Sequence, residues 1–385
     1  MDFIQAPYRR RGHCASIGTR GRKALKNSAI RARNGQKEAF IRKVLQTNKP
    51  LGCIALRSRQ RIFCAVAHRV HTWALVLAGG EGSRLQGLTR NVHGVVVPKQ
   101  YCSLQGGPSL LQEALQRAAT VAAMQRVCTV VAAQHRQWWT SMLGILRPRN
   151  VFVQPHNRGT AHGILLPLLR IADMDPDATV VLLPADHHLR NEEIMVDSLR
   201  EAADLASSHP ESIYLLGIEP EEADAELGYI LPVSSPRRGA AAVSQFVEKP
   251  SQAQAHALIA QGALWNSFIM AASVRALLNL FGSAFETARN AMQMLDGAPL
   301  DEAYQHLRPV DFSRDVLSGN ESTLRVLPVP QCGWSDLGTT SRVESTLRRL
   351  QDDAIGPTVR PYFPTHLILA EQCSRQRPPP QALRA

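Results

Sequence analysis

The sequence predicts an α/β fold, a Rossmann-like mixed sheet with mostly parallel strands, flanked by helices. Three observations lead to this class. From Trp73 onwards, apolar strand-like runs alternate with helix-like segments, as they do in successive βα units. One run, Ala178–Pro184, is almost wholly apolar, which is typical of a central parallel strand with both faces covered. A glycine-rich loop follows the run Trp73–Leu77, at the strand end where open α/β sheets bind ligands.

The first half of this region is predicted to hold five strands and two long helices. The strands are Trp73–Leu77, Arg126–Ala133, Asn150–Gln154, Ala178–Pro184 and Ile213–Ile218. The helices are Thr160–Asp173 and Ile194–Ser207, and apolar residues of the first recur at helical spacing on one face. Pro167 lies inside that helix and lacks the amide hydrogen that a helix interior needs. We therefore expect either a kink at Pro167 or a later helix start.

The second half has shorter connections, which indicates a sheet extension that covers the first half. Its predicted strands are Gly228–Val233, Ala241–Val247, Leu264–Ala272 and Leu324–Val329. A helical region is predicted from Val274 to about Leu317, and a closing helix over Thr339–Leu350.

Charge divides the chain into three regions. Residues 1–72 hold 17 of the chain's 44 Lys+Arg residues and 2 of its 32 Asp+Glu residues. The remainder of the chain therefore has 27 basic and 30 acidic residues. The first region is predicted to be a basic, disordered extension or the product of a mis-assigned start; a transit peptide and a nucleic-acid-binding arm are the alternatives. Residues 73–350 are predicted to form the folded domain, and residues 351–385, with three consecutive prolines, a C-terminal tail.

Cysteine and apolar patterns bear on location and partners. The seven cysteines show neither Cys-x-x-Cys pairing nor zinc spacing, so we expect reduced thiols, mostly used for packing, in a cytoplasmic protein. No window of ~18 apolar residues occurs, so we expect no membrane-spanning helix. Because the basic excess is confined to residues 1–72, nucleic acid is not expected as a partner of the domain.

The strand Trp73–Leu77 runs into the loop Ala78-Gly79-Gly80-Glu81-Gly82-Ser83-Arg84-Leu85, and Pro98-Lys99-Gln100 follows. Glycines let backbone N–H groups approach a phosphate chain closely, because no Cβ atom intervenes. Arg84 and Lys99 would add the positive charges that a triphosphate requires. A Walker loop is excluded because Gly-Lys-Ser/Thr is missing, and a dinucleotide fingerprint because Leu85 stands where the third glycine is needed.

The loop and the Pro-Lys-Gln segment together resemble the signature of the sugar-phosphate nucleotidyltransferases, and within them of the mannose-1-phosphate guanylyltransferases. The resemblance covers roughly residues 73–345 and rests on about seven motifs in the same order. It implies the nucleotide-diphospho-sugar transferase type of α/β fold. It also implies a catalytic domain only, because no hexapeptide repeat follows and the chain is too short for the isomerase domain of some relatives.

The resemblance implies a nucleotide site along the loop and the third strand. In the family, the loop binds the triphosphate, the arginine stabilises charge on the departing pyrophosphate, and the lysine steadies the α-phosphate. The segment from Gln154 to Ala161 resembles one that lies against the nucleobase. The implied nucleotide-binding residues are Ala78, Gly79, Gly80, Gly82, Ser83, Arg84, Gln154, Gly159 and Thr160. The implied catalytic residues are Arg84, Lys99 and Asp186. Thr160 has the alternative role of capping the helix that begins there.

Two aspartates are candidate metal ligands. Asp186, in Pro184-Ala185-Asp186-His187, lies just past a buried strand, and its counterpart in the family binds Mg²⁺. Asp336, in Gly333-Trp334-Ser335-Asp336, also follows a predicted strand and matches a family motif. Each could instead cap the next helix. Mg²⁺ prefers one or two carboxylates together with phosphate oxygens and water, so the pair predicts a Mg²⁺ site.

The sugar side is implied by three further matches. Glu248 and Lys249, in Val-Glu-Lys-Pro, would contact sugar or ribose hydroxyls and the phosphate of the sugar 1-phosphate, respectively. Gly228-Tyr229 resembles a sugar-side turn, and Asn266, in Trp-Asn-Ser, would read sugar hydroxyls. The alternatives are an ordinary surface ion pair for Glu248-Lys249 and plain strand packing for Trp265.

Several positions depart from the guanylyltransferase pattern. Gln86-Gly87 replaces Trp-Pro, Gly159 replaces asparagine, His162-Gly163 replaces Pro-Ala, and Phe268 follows Trp-Asn-Ser where glycine is usual. These positions lie around the implied base and sugar pockets. The departures therefore leave the substrate pair open more than the type of reaction.

The predicted function is transfer of a nucleoside monophosphate from a triphosphate to a sugar 1-phosphate, with GTP and mannose 1-phosphate as the preferred pair. A pair with UTP, dTTP or CTP, and a non-catalytic relative that senses a nucleotide sugar, are the alternatives. A nucleic-acid-binding protein would rest only on residues 1–72. A homodimer is expected.

Overall fold

The computed structural model describes residues 70–91, 93–234, 239–294 and 298–354, all within one compact unit that spans Phe63–Ala385. The predicted basic extension, up to residue 69, and the predicted tail, from residue 355, lie outside the described residues. Four cysteines also lie outside them, whereas Cys102, Cys128 and Cys332 are buried. Within the described residues, no helix combines the length and apolar character needed to cross a bilayer.

The described strands form one mixed sheet. Their bounds are β1 Thr72–Ala78, β2 Val127–Ala132, β3 Val151–Gln154, β4 Thr179–Pro184, β5 Ile213–Ile218, β6 Tyr229–Pro232, β7 Ala241–Val247, β8 Leu264–Ser273 and β9 Leu324–Val329. They are arranged in the order β3-β2-β1-β4-β8-β5-β9-β7-β6, with a further pairing of β8 and β6. Only β7 and β8 run against the other seven strands. The predicted α/β fold with a mixed, mostly parallel sheet is confirmed.

Helices cover both faces of this sheet. Their bounds are α1 Leu110–Ala118, α2 Arg136–Trp139, α3 Gly159–Met174, α4 Glu192–Ser208, α5 Gln252–Ala260, α6 Val274–Leu280, α7 Glu286–Met294, α8 Ala298–His306 and α9 Thr340–Ala354. Alternate residues of β1 belong to two different core clusters, because successive strand side chains point to opposite faces. Ala74 and Val76 pack in the cluster that includes α1 and α4, and Trp73 and Leu75 in the cluster that includes α3 and α6.

Helix α3 continues through Pro167 and begins at Gly159, one residue before the predicted start. The expectation of a later start is therefore wrong, while the kink stays a prediction. A proline inside a helix costs about 3 kcal/mol. Burial offsets that cost, because all but one of the residues from Ala161 to Ile171 are buried.

Candidate active site

One cavity of about 650 Å³ opens at the carboxyl ends of β1, β3 and β4. It contains most of the residues that the sequence singled out. The predicted residues that line it are Gly79, Gly80, Arg84, Gln154, Gly159, Thr160, Asp186, Gly228, Glu248, Lys249, Asn266 and Asp336. Segments that are distant along the chain therefore meet at one site.

Five predicted residues do not line the cavity, and each has a different surrounding. Ala78 is buried, and its carbonyl accepts a hydrogen bond from the Gln100 side chain. Tyr229 is fully buried, and its hydroxyl both accepts from and donates to the backbone of Asp224. Ser83 is exposed. Gly82 and Lys99 lie next to the cavity, with Gly82 packed against Lys99. The binding roles of Ala78, Ser83 and Tyr229 therefore stay predictions, without support from the cavity lining.

The two halves of the phosphate motif are joined by direct contacts. Gly82 adopts φ 62°, and a Cβ atom there would lie 3.2 Å from the backbone nitrogen of Lys99. The Gln100 amide nitrogen donates to the carbonyls of Ala78 at 3.0 Å and Gly80 at 2.8 Å. The Pro-Lys-Gln segment therefore holds the backbone of the glycine-rich loop in place.

Lys99 connects the two candidate metal ligands. Its Nζ atom donates to Asp186 Oδ2 at 3.0 Å and to the carbonyls of Asp336 at 2.6 Å and Leu337 at 3.2 Å. These three contacts use the three hydrogens of the ammonium group. Burial would raise the pKa of Asp186, but the positive charge of Lys99, joined in acid by that of the protonated His187 ring, holds this pKa below its usual value. Asp186 is therefore ionised at neutral pH.

Asp336 is held on the other side by Arg342. The Nε and Nη2 atoms of Arg342 lie 2.8 Å and 3.2 Å from the two Asp336 carboxylate oxygens, and Arg342 also pairs with Asp224. Two backbone hydrogen bonds of 2.9 Å between His188 and Ser335 place the Asp186 and Asp336 segments side by side. The carboxylates thus approach the same part of the cavity.

The capping alternative for both aspartates is wrong. The Thr339 hydroxyl accepts the hydrogen bond from the Arg342 amide at 3.3 Å, as an N-cap residue of α9 does. Helix α4 begins only at Glu192, well past Asp186. Neither carboxylate is therefore used to start a helix.

The sequence interpretation quoted His187 and Trp334 only as parts of motifs, yet both line the cavity. The indole nitrogen of Trp334 donates to Nδ1 of His187 at 3.2 Å. Burial lowers the pKa of His187 to about 4, against the opposing effect of Asp186 and Asp336. His187 is therefore neutral near pH 7. It does not offset the negative charges of Asp186 and Asp336.

The two aspartates fit a hard divalent cation. Both offer carboxylate oxygens, each next to a positively charged side chain that balances its charge. No group of three or more His, Cys, Asp or Glu side chains suited to a metal occurs in the described residues. A two-carboxylate site of this kind suits Mg²⁺, which completes its coordination with phosphate oxygens and water.

Glu248, Asn266 and Gly228 are neighbours in the lining of the cavity. A Cβ atom on Gly228 would lie 2.6 Å from Glu248 Oε2 and 3.3 Å from Asn266 Cβ, so a larger residue there would displace the Glu248 carboxyl group. Burial, reinforced by the charge of Asp311, raises the pKa of Glu248 to about 7, although Lys249 and Arg314 oppose the shift. Lys249 itself has φ 49°, a strained conformation of the kind found at functional sites.

Among the residues implied to lie near the nucleobase, Thr160 does not have its alternative role as a helix cap. The cap position of α3 is Arg158 rather than Thr160, and the Thr160 hydroxyl accepts a 2.8 Å hydrogen bond from the Phe312 amide. Gln154 is buried, and its side chain lies against Gly79 and Gly163. Gly159 has φ 84°, and a Cβ atom there would overlap the carbonyl group of Val310. Position 159 is therefore restricted to glycine.

Arg84 faces the cavity and pairs with Glu226, a residue that the sequence interpretation missed. Arg84 Nη1 lies 2.8 Å from Glu226 Oε2, and about half of each side chain is exposed to solvent. No local spacing signals this contact, because 142 positions separate the two residues. The arginine that was predicted to bind a phosphate is therefore paired with a carboxylate in this structure.

Comparisons with known proteins agree on the family. A family profile described as Nucleotidyl transferase matches residues 73–352. The xanthan biosynthesis protein XanB of Xanthomonas campestris pv. campestris (strain B100) is 30% identical over 280 residues, which cover 69% of this chain and 57% of that protein. Mannose-1-phosphate guanylyltransferase of Salmonella muenchen is 29% identical over 283 residues, which cover 69% of this chain and 58% of that protein.

A solved structure has the same fold. The crystal structure described as mannose-1-phosphate geranyltransferase from Thermus thermophilus superposes with a TM-score of 0.60 at 28% identity, covering 70% of this chain and 76% of that one. The chain spans a little over half the length of the two sequence relatives. Because the profile covers most of the chain and its residues surround the cavity, the chain belongs to the nucleotidyl transferase family.

Proposed function

We propose that this protein transfers a nucleoside monophosphate from a nucleoside triphosphate to a sugar 1-phosphate and releases pyrophosphate. GTP and mannose 1-phosphate are the preferred pair, and GDP-mannose is the product. The observation that carries the proposal is the meeting of Arg84, Asp186 and Asp336 at one cavity, with Lys99 bonded to both aspartates. The family and the guanylyltransferase name of one relative support the same reaction.

The proposed reaction requires positioning and charge neutralisation. The phosphate of the sugar 1-phosphate is already ionised at neutral pH, so its attack on the α-phosphorus needs no general base. Backbone amides of Gly79 and Gly80 bind the triphosphate, and Arg84 stabilises the charge that develops on pyrophosphate. Lys249, which lines the same cavity, binds the acceptor phosphate. The predicted contact of Lys99 with the α-phosphate would require its ammonium group to exchange one of its present acceptors.

Asp186 and Asp336 are the residues that would hold Mg²⁺. When bound, the ion would neutralise negative charge on the phosphate oxygens. Lys99 keeps Asp186 ionised and therefore able to act as a ligand. Arg342 orients the Asp336 carboxylate toward the cavity through its two contacts.

The test is pyrophosphate release from each of GTP, UTP, dTTP and CTP, combined with a panel of hexose 1-phosphates. We expect release with GTP and mannose 1-phosphate that depends on added Mg²⁺, and a loss of release in Asp186→Asn. Release with another pair only would replace the proposed substrates, and absence of release with every pair would favour a non-catalytic sensor of nucleotide sugars. The homodimer and the cytoplasmic location stay predictions.

A further inference from the structure

Phe268 has an unusual backbone conformation for its residue type. It has φ 58°, and it is one of three non-glycine residues with positive φ in the part of the chain that the structure describes. Phe268 occupies the position after Trp-Asn-Ser where the guanylyltransferase pattern has glycine. A bulky residue in this conformation is strained and persists only where its surroundings impose it. The chain therefore keeps a glycine-like backbone and adds an aromatic ring to it.

The ring has fixed neighbours on one side. Phe268 lines the cavity and packs against Phe312, with ring centroids 6.1 Å apart and planes at 67°. Phe312 is fully buried and packs in turn against Phe281 at 5.8 Å. The contact of Phe268 with Phe312 is edge-to-face and that of Phe312 with Phe281 is tilted, and close aromatic pairs of this kind are favourable. The Phe268 ring is thus supported from the core and forms a rigid part of the cavity wall.

The backbone of Phe268 also orients the acceptor side. The Phe268 amide donates a hydrogen bond to Asn266 Oδ1 at 3.0 Å. The side-chain NH₂ group of Asn266 can therefore act as the donor to a ligand. Asn266 lies next to Gly228 and Glu248, whose carboxyl group is 2.6 Å from the position a Gly228 Cβ would take. Phe268 therefore borders the polar groups that suit sugar hydroxyls.

We propose that Phe268 is a specificity-determining residue that restricts the acceptor to sugar 1-phosphates with hydroxyl substituents and excludes those with an N-acyl group. The inference rests on the proposed function. A hydroxyl needs only the donor and acceptor that Asn266 and Glu248 offer. An N-acetyl group adds a rigid planar amide and a methyl group, and a wall backed by Phe312 cannot move aside for them.

The experiment compares Phe268→Gly with the wild-type protein. Glycine adopts φ 58° without strain, so this variant removes the ring and keeps the backbone. We measure kcat/KM by pyrophosphate release with a hexose 1-phosphate and with the corresponding N-acetylhexosamine 1-phosphate. We expect the ratio to shift by about 10-fold or more toward the N-acetylated acceptor. Phe152→Leu is the matched control, because Phe152 is a buried phenylalanine that neither lines the cavity nor packs against Phe268, Phe312 or Phe281, and it should leave the ratio unchanged.

Two results would overturn the inference. An unchanged ratio would show that the ring excludes nothing, and a higher KM for the hexose 1-phosphate with no gain for the N-acetylated one would show a stacking surface instead. Calorimetric binding of both sugar 1-phosphates separates this inference from the proposed function, because binding selectivity can change in Phe268→Gly even if no pair releases pyrophosphate. Phe268→Ala repeats the comparison if the glycine variant does not fold.

Discussion

At the scale of single residues, the contact between Arg84 and Glu226 bears on the proposed role of Arg84. About half of each side chain is exposed, and exposed ion pairs of this kind contribute only about 0–1 kcal/mol. A triphosphate carries several negative charges, so it can replace Glu226 as the partner of Arg84 at little cost. We therefore interpret Glu226 as a temporary partner rather than a structural one.

Replacing Arg84 by alanine should lower turnover by ~10²-fold or more, the scale of losing one preorganised contact to transition-state charge. Glu226→Gln is the matched control, because it breaks the same ion pair while keeping the arginine. We expect that control to retain turnover. Pyrophosphate release at saturating substrates gives both values, and wild-type turnover in Arg84→Ala would contradict the role given to this arginine.

Glu248 predicts a particular pH dependence of stability. Its pKa is about 7 in the folded protein, above the ordinary value of 4.5, so the folded state keeps a proton that the unfolded state loses. The stabilising contribution is therefore complete below pH 4.5 and is lost as the pH rises through about 7. The effect amounts to at most about 3 kcal/mol, and less because the carboxylate faces a hydrated cavity.

Glu248→Gln should remove this dependence. Relative to wild type, the free energy of unfolding of the variant should rise between pH 4.5 and about pH 8, because glutamine has no charge to bury. Denaturant unfolding at several pH values in that range measures the difference. A difference that does not change with pH would mean that Glu248 titrates normally.

The sequence identified residues that line the cavity better than the residues that support them. Gly79 and Asp186 come just after the ends of β1 and β4, so their place at the strand ends can be read locally. Arg342 and Asp224 are 118 positions apart, and no spacing in the sequence announces their contact. Such pairings depend on how α9 packs, which a single sequence does not show.

At the scale of elements, the segment between β5 and β6 is attached to α9 by two ion pairs. Asp224 pairs with Arg342, where both side chains are more than four-fifths buried, and Glu221 pairs with Arg349, where both are about half exposed. Arg342 also holds Asp336, so the helix supports the cavity through one of the two contacts. The two arginines thus provide a comparison on a single helix.

Arg342→Gln should destabilise the fold by about 3 kcal/mol or more, because it leaves the carboxylates of Asp224 and Asp336 without their buried partner. Arg349→Gln should cost less than about 1 kcal/mol. Chemical unfolding of the two variants gives these values directly. Equal losses for the two arginines would contradict the distinction between the buried and the exposed pair.

Element prediction succeeded for the strands and failed for some helices. The nine predicted strands match β1–β9 because apolar runs and turns mark them. Helices α1 and α5 were missed, although each begins with a capping box, formed by Ser109 with Gln112 and by Ser251 with Gln254. Ser-x-x-Gln is a readable start signal, so this information was present in the sequence.

At the scale of the whole molecule, the order of the strands could not be predicted. Strand β8 lies between β4 and β5 and runs against both. Apolar periodicity shows that a segment is a strand but not which neighbours it pairs with. The prediction that distant segments share one site depended on the family resemblance and not on apolar periodicity.

The domain boundary leads to a prediction for the whole chain. Matched residues begin at 73, and the side chains of His71 and Trp73 bond to Asp175 at 2.8 Å and 2.9 Å. A protein that lacks residues 1–69 should therefore keep its melting temperature and turnover. It should lose any binding to polyanions, because the removed part holds 17 Lys+Arg and 2 Asp+Glu. Heparin affinity and pyrophosphate release measure both, and lost turnover would place part of the active unit upstream of residue 70.

Gly159 has a consequence for attempts to exchange pockets between relatives. Val310 donates to the carbonyl of Arg158 and accepts from the amide of Ala161, both at 3.1 Å, so its main chain closes directly over position 159. The asparagine usual in guanylyltransferases cannot be grafted there alone, since its first side-chain carbon would collide with that main chain. Engineering a different nucleobase preference into this scaffold therefore requires transplanting two stretches of polypeptide together, the start of α3 and the strip around Val310.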